Sequence, residues 1–244
     1  MLKLAVCEKI DSTQLRLIEA VKNGLNDDSF ALLALQQTNG IGSNNRIWVG
    51  EDEPIKNLKR VFFLDYFKDL EFIFCDYYRN YDLDFCRNLY LSFYCDSIPD
   101  DLPIQSASIY YASILKMVLQ DFNSKVFIKW PNDIYLDNKK VGGVISTKVK
   151  NKLICGIGLN IVFSPQDAKT LDTKIDLQIL LKAFFDKISE KISWRDVFDY
   201  YKNDFELSRL FCFKQDDKIY HLNDAKLYGD GSILIDDKRI YSLR

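Results

Sequence analysis

The chain has 244 residues, 48% of them hydrophobic, with 33 lysines and arginines against 35 aspartates and glutamates. That length and apolar content can bury a full core as one large domain or as one domain with a small appendage. The near-balanced charge offers no basic surface for nucleic acid, and no apolar run approaches the ~18 residues of a bilayer span. A single histidine, His221, argues against a Ser-His-Asp triad or a histidine-rich metal site.

Residues 2–8 read as one short apolar strand and not as a signal peptide. Asp11-Ser12 can cap a helix over about 13–23, where Leu15, Ile18 and Val21 recur at helical spacing. The nearly continuous apolar run 29–35 predicts a strand at the centre of a sheet, followed by a polar, glycine-containing loop over 36–45. Aromatic-rich strands are predicted at 58–65, 71–77 and 88–94, then a long helix at 104–122 with one apolar stripe. The segments 126–131, 133–136, 141–147 and 152–161 predict a β-meander, and helices follow at about 175–188 and 194–207. From 210 onward the pattern changes to short alternating strands with turns at Gly229-Asp230-Gly231 and Asp236-Asp237, which predicts a small β-barrel-like unit. Six cysteines (Cys7, Cys75, Cys86, Cys95, Cys155, Cys212) form no C-x-x-C pair, a usage that predicts reduced thiols and a cytoplasmic protein.

Chemistry concentrates in residues 129–143, KWPNDIYLDNKKVGG. Trp130-Pro131-Asn132-Asp133 sets an aromatic wall, a fixed φ, an amide and a carboxylate on consecutive residues. Ile134-Tyr135-Leu136 reads as a short strand and Asp137-Asn138-Lys139 as a tight turn, so Asp133 and Lys140 can stand over one pocket. Gly142-Gly143 lets backbone come close to a ligand. Such a hairpin suits chemistry on a phosphate and a carboxylate, although a solvated surface hairpin is the bland reading of Trp-Pro-Asn-Asp alone. In the 36–48 loop, Gly40 and Gly42 free backbone amides to face an anion and Arg46 adds a bidentate charge, where an ordinary flexible turn is the competing reading.

The fifteen-residue string resembles the signature of the biotin protein ligases, and three further segments match that family in order over residues 11–161. Asp11-Ser12-Thr13-Gln14 is similar to the family's Asp-Ser-Thr-Asn segment, and Gln37 to a glutamine facing the biotin head. Gly156-Ile157-Gly158-Leu159-Asn160 is similar to its G-I-G-x-N strand. Gly40, Gly42, Arg46 and Trp48 match a glycine-arginine-glycine-arginine loop ending in arginine-x-tryptophan. Ile41 and Ser43 stand where the family has arginines, and Asn45 where it has glycine. Trp48 and Asn88 lie roughly forty residues apart, several times the family gap, which marks 50–86 as an unusual aromatic and acidic insertion.

The resemblance implies an α+β fold, with a mixed, mainly antiparallel sheet flanked by helices (class II synthetase-like) over 1–208 and a small SH3-like β-barrel over 209–244. It implies a ligase that makes biotinyl-5'-AMP from biotin and ATP with Mg²⁺, then biotinylates a lysine of the carrier domain of a biotin-dependent carboxylase. Alternatives are a biotin- or adenylate-binding sensor without turnover, or a lipoate-type ligase of the same fold. The implied catalytic residues are Lys140, Arg46 and Asp133, with Asp133 also a candidate metal ligand. Biotin would meet Ser12, Thr13, Gln37, Gly40, Gly143, Gly156 and Gly158; the nucleotide would meet Trp48, Asn132 and Asn160. Trp130 is expected as a further pocket wall. With Ser12 so near Met1, no winged helix precedes the catalytic part, so no specific DNA binding is expected. No membrane partner is expected, and the protein is read as a monomer or homodimer.

Overall fold

A computed structural model describes residues 2–42, 47–48, 88–215 and 218–241. The strands predicted at 58–65 and 71–77, the 50–86 insertion and Arg46 lie outside the described residues. The frame is a seven-stranded sheet built from β1 (Leu2–Ile10), β2 (Ser29–Gln37), β5 (Leu89–Tyr94), β6 (Phe127–Lys129), β7 (Asp133–Leu136), β8 (Lys139–Val149) and β9 (Lys152–Leu159), in the order β1-β2-β5-β9-β8-β7-β6. Only β1 and β2 are parallel, because helix α1 (Thr13–Lys22) carries the chain back across the sheet; every other neighbour pair is antiparallel. Two short strands, β3 (Gly40–Ile41) and β4 (Ile47–Trp48), pair beside it, so the expected 36–45 loop contains a two-residue strand and begins only after β2 has run on to Gln37.

The sheet's two faces differ. Leu89, Leu91 and Phe93 of β5 alternate toward the main core, as do Leu153, Cys155, Ile157 and Leu159 of β9. There they meet α2 (Ala107–Asp121), α3 (Leu177–Ser189) and α4 (Trp194–Ser208). A smaller cluster on the other face joins Leu17 and Val21 of α1 to Phe30, Tyr94, Val149 and Ile154. The predicted 104–122 helix opens as a 3-10 turn, Ile104–Ser106, behind Pro103. Each of the last two helices has its first turn satisfied by side chains: Asp176 accepts from the Gln178 and Ile179 amides, and Asp101 accepts from those of Trp194 and Arg195. Those amide bonds hold the Asp101 carboxyl below its ordinary range.

After Ser208 the chain forms β10 (Cys212–Gln215) and β11 (Lys218–His221) as one pair, then β12 (Lys226–Leu227), β13 (Ile233–Ile235) and β14 (Lys238–Ile240) as a three-stranded sheet. Asp236 and Asp237 both take positive φ at the last hairpin, as a tight two-residue turn demands. Among the described residues these are two separate small sheets and not one closed barrel. Their buried Phe213, Tyr220, Leu222, Ile233, Ile235 and Ile240 join the main core. No helix of the described residues is long and apolar enough to cross a membrane. Among these residues Cys7, Cys95, Cys155 and Cys212 are thiols without disulfide partners.

Candidate active site

Alternation along β9 makes the floor. Because its odd-numbered residues fill the main core, Gly156 and Gly158 fall on the opposite face, beside α1 and the β3–β4 pair. A Cβ at Gly158 would lie 2.7 Å from the Trp48 ring, and one at Gly156 would lie 2.6 Å from Gln14 Oε1. Glycine at 158 lets the Trp48 ring lie directly on the sheet, and glycine at 156 leaves room for the Gln14 amide. The cavity above is open at its mouth, and about 440 Å³ of non-atom space, open solvent included, lies within its lining.

One end of the cavity is a hydrogen-bond cluster. Gln37 Oε1 accepts from both the Thr13 backbone N–H at 2.7 Å and the Thr13 hydroxyl at 3.0 Å. Two donors on one oxygen fix which end of the amide is which, so Nε2 is the end left to donate elsewhere. Ser92 donates to the Thr13 hydroxyl at 2.9 Å. Ser12 accepts from Leu15 N–H as the cap of α1, which leaves its hydroxyl proton available to a ligand. Ser12, Thr13 and Gln14 are each under 5% exposed, and Gln14 Oε1 is a buried acceptor with no partner.

The other end is charged, and a β-bulge creates it. Asp133 pairs with Gly143 and Tyr135 with Lys140 across β7 and β8. Residues 140 and 143 would face opposite sides of a regular strand, yet both oppose residues of one face. The register shift between Ile134 and Tyr135 supplies the extra residue, so Val141 and Gly142 both turn toward the core side while Lys140 swings over the cavity. Lys140 Nζ then donates to Asp133 Oδ1 at 2.5 Å and lies 5.6 Å from the Trp48 ring centre. Lys129, a buried lysine, brings its Nζ to 4.0 Å from Asp133 Oδ2. Both carboxylate oxygens thus face ammonium groups. Asp133 is the lone carboxylate among the described lining residues, and no group of three His, Cys, Asp or Glu side chains among the described residues could hold an ion. A Mg²⁺ ion here would have Asp133 as its one carboxylate ligand among the described lining residues, the rest of its shell coming from water and phosphate oxygens.

The structure brings Ser12, Thr13, Gln37, Trp48, Asn132, Asp133, Lys140, Gly143, Gly156 and Gly158 to this one cavity. Asn132 is tied to β8, its side-chain amide donating to Val144 O and its backbone carbonyl accepting from Val144 N–H at 2.9 Å. Gly40 lies outside the lining, where a Cβ would strike Gln37 Nε2 at 2.5 Å, so it makes room for the glutamine. Asn160 also lies outside the lining, at the end of β9, where its backbone N–H bonds Val141 O at 2.7 Å and its side-chain Oδ1 is buried without a partner. Trp130 is not a wall: it is fully buried and turned toward the C-terminal strands. Sequence reading missed Gln14, Ser92 and Lys129. The run Leu89-Tyr90-Leu91-Ser92-Phe93 held a signal for Ser92, since strict alternation sets it against the face of the large apolar residues.

A family model described as the biotin/lipoate A/B protein ligase family matches residues 6–163. Sequence comparison with curated proteins gives no match. Among solved structures, a biotin acetyl coenzyme A carboxylase synthetase from Helicobacter pylori with bound biotinylated ATP is 28% identical, with a TM-score of 0.79 over 98% of this chain and 99% of that one. A biotin protein ligase from Aquifex aeolicus in complex with biotin and ATP is 22% identical, with a TM-score of 0.64 over 99% and 96%. A biotin protein ligase from Leishmania major in complex with biotinyl-5-AMP is 17% identical, with a TM-score of 0.59 over 99% and 95%. The Aquifex and Leishmania likenesses speak for the fold.

Proposed function

The chain belongs to the biotin/lipoate A/B protein ligase family, and we propose that it is a biotin protein ligase. It activates biotin with ATP as biotinyl-5'-AMP and transfers the biotinyl group to a lysine of a carrier domain. The observation that carries this reading is the polarity of one cavity. A hydrogen-bonding cluster of Ser12, Thr13, Gln37 and Ser92 stands at one end, the Lys140–Asp133 pair at the other, and a glycine floor lies between. A ureido ring requires donors and acceptors at fixed places, which the first end supplies, and the second end meets carboxylate and phosphate charge.

In the first step a biotin carboxylate oxygen attacks the α-phosphorus, and the bond to pyrophosphate breaks. In the second step a neutral carrier lysine attacks the acyl carbon, AMP leaves, and the amine gives up a proton. Lys140 stabilises the charge that builds on both reacting groups, and Arg46 and the loop amides share the phosphate charge. Asp133 holds Lys140 and stands where it can orient the incoming amine. Asp133 would be the residue to help place a Mg²⁺ ion, which would supply further neutralisation of the ATP phosphate charge. The C-terminal strands, though formed as two small sheets, serve in the place of the family's small barrel. Mass spectrometry of a biotin carboxyl carrier fragment after incubation with ATP, Mg²⁺ and biotin tests the reading, with lipoate in parallel. Unmodified carrier in the biotin arm, or modification only with lipoate, overturns it.

Two consequences follow for the ligand. Thr13→Val and Gln37→Ala should each weaken biotin by about 1–3 kcal/mol, because each leaves a buried polar partner unmatched. Calorimetry giving unchanged affinity in both variants would place the head group elsewhere. Ile41 and Ser43, where the family has arginines, should let the adenylate escape about tenfold faster than arginines would, the effect of two exposed charge contacts. Preforming the adenylate and chasing with excess biotin measures this; the Ile41→Arg/Ser43→Arg double variant should release more slowly, and an unchanged rate would dismiss the idea.

A further inference from the structure

Trp130 opens the Trp-Pro-Asn-Asp segment, yet its ring packs on Phe213 of β10, with centroids 5.0 Å apart, and its indole N–H donates to Gly231 O at 3.0 Å. Gly231 belongs to the turn between β12 and β13. In that turn three successive carbonyls each receive a donor from a different part of the sheet-and-helix body. Gly229 O accepts from the Trp194 indole of α4 at 2.8 Å, Asp230 O from the Ser106 hydroxyl ahead of α2, and Gly231 O from Trp130. The turn is internally fixed as well. Gly231 N–H donates to Tyr228 O and Tyr228 N–H to Ser232 O, while the Asp230 carboxylate accepts from Ser232 and Arg239. Gly231 has φ +74°, and a Cβ there would lie 2.8 Å from Ile109, so close insertion against α2 requires glycine.

We propose that the 228–232 turn of the C-terminal strands acts as a positioning device for the Asp133–Lys140 pair, with Trp130 as the positioning residue. From Trp130 the chain has one route to the pair. Pro131 adds no donor, Asn132 clasps Val144, and Asp133 opens β7 opposite Gly143. A signature whose first side chain is anchored in a rigid turn can hold the carboxylate and ammonium at their reactive places before a ligand arrives. A shift of about 1 Å in such a pair costs rate without costing affinity at the distant ureido end.

The inference rests on the ligase reading, and the two can fail separately. Trp130→Phe and Trp194→Phe each delete one indole donor to the same turn, but only the first touches the signature. The expected result is a similar small fall in melting temperature for both, with unchanged biotin affinity. The kcat for biotin-dependent pyrophosphate release should fall about 10-fold to 10²-fold in Trp130→Phe and stay near the parent value in Trp194→Phe. Equal kcat in the two variants, whether retained or lost in step with stability, overturns the proposal. If Trp130→Phe does not fold, Phe213→Leu removes the tail's ring from Trp130 and is read by the same split of kcat from affinity, with an unchanged kcat again overturning it. Pyrophosphate release absent in the parent protein would count against the ligase reading alone.

Discussion

Replacing Lys140 by alanine should lower biotin-dependent pyrophosphate release by roughly 10²–10³, about 3–4 kcal/mol of transition-state stabilisation, while leaving the fold in place. The side chain is about one-third exposed and belongs to neither hydrophobic cluster, so its removal opens no cavity in the core. The strand pairing around it is backbone-made, with Lys140 O also accepting from Lys169 N–H at 2.9 Å. What disappears is the cation 2.5 Å from Asp133, aimed by the bulge at the cavity where carboxylate and phosphate charge must meet. Lys129 does not replace it: that ammonium lies 4.0 Å from the other carboxylate oxygen, on a largely buried side chain set against the Tyr135 and Phe211 rings. Biotin affinity measured by calorimetry should change far less than the rate, because the ureido end is untouched. A Lys140→Ala protein releasing pyrophosphate at close to the parent rate would remove Lys140 from the chemistry.

Much of this arrangement is legible in the sequence, and the illegible parts share a cause. Helix starts at Ser12 and near 175 and 194 were readable because caps and apolar spacing are local. The glycine floor is implied by the resemblance of Gly156-Ile157-Gly158-Leu159-Asn160 to the family's strand, since by its residues alone the segment is just a glycine-bearing core strand. Lys140 and Asp133 were correctly joined across their turn, but for an incomplete reason, since period-two alternation alone would separate Lys140 from Gly143 and only the bulge at Val141 reconciles them. Trp130 was misplaced because its partners, Phe213 and Gly231, lie about a hundred residues on, in a segment that read as an independent barrel. Lys129 escaped notice because its carboxylate partner is four residues away across a hairpin, not along a helix. Local rules see caps, turns and alternation; they do not see which distant element a buried side chain will be given.

The same limit applies to the second large effect, which is on stability. Asp204→Ala should destabilise the protein by about 3–5 kcal/mol, the usual consequence of stripping one partner from a buried ion pair. Asp204 on α4 accepts from Lys116 of α2 at 2.6 Å, and both are no more than 5% exposed. Its second oxygen accepts the Ile128 N–H of β6 at 2.8 Å. Burial pushes the Asp204 carboxyl above its ordinary range despite the adjacent lysine. Alanine therefore strands an ammonium and a backbone donor together. For a chain of this size the loss corresponds to roughly 6–20 °C in melting temperature, at about 2–4 °C per kcal/mol. Lys116→Met/Asp204→Leu should recover a large part of it, because two apolar residues carry no stranded charge, leaving mainly the Ile128 N–H unmatched. A thermal melt of Asp204→Ala within two or three degrees of the parent would show that water reaches Lys116 and that the pair is not a structural tie. The location gives the loss a second reading. Ile128 stands two residues before Trp130, whose own N–H bonds Ser208 one turn along α4 at 2.9 Å, so α4 grips the strand that leads into the signature. Asp204→Ala should therefore lose ligase rate at temperatures well below its melt, and Lys116→Met/Asp204→Leu should regain stability more fully than rate.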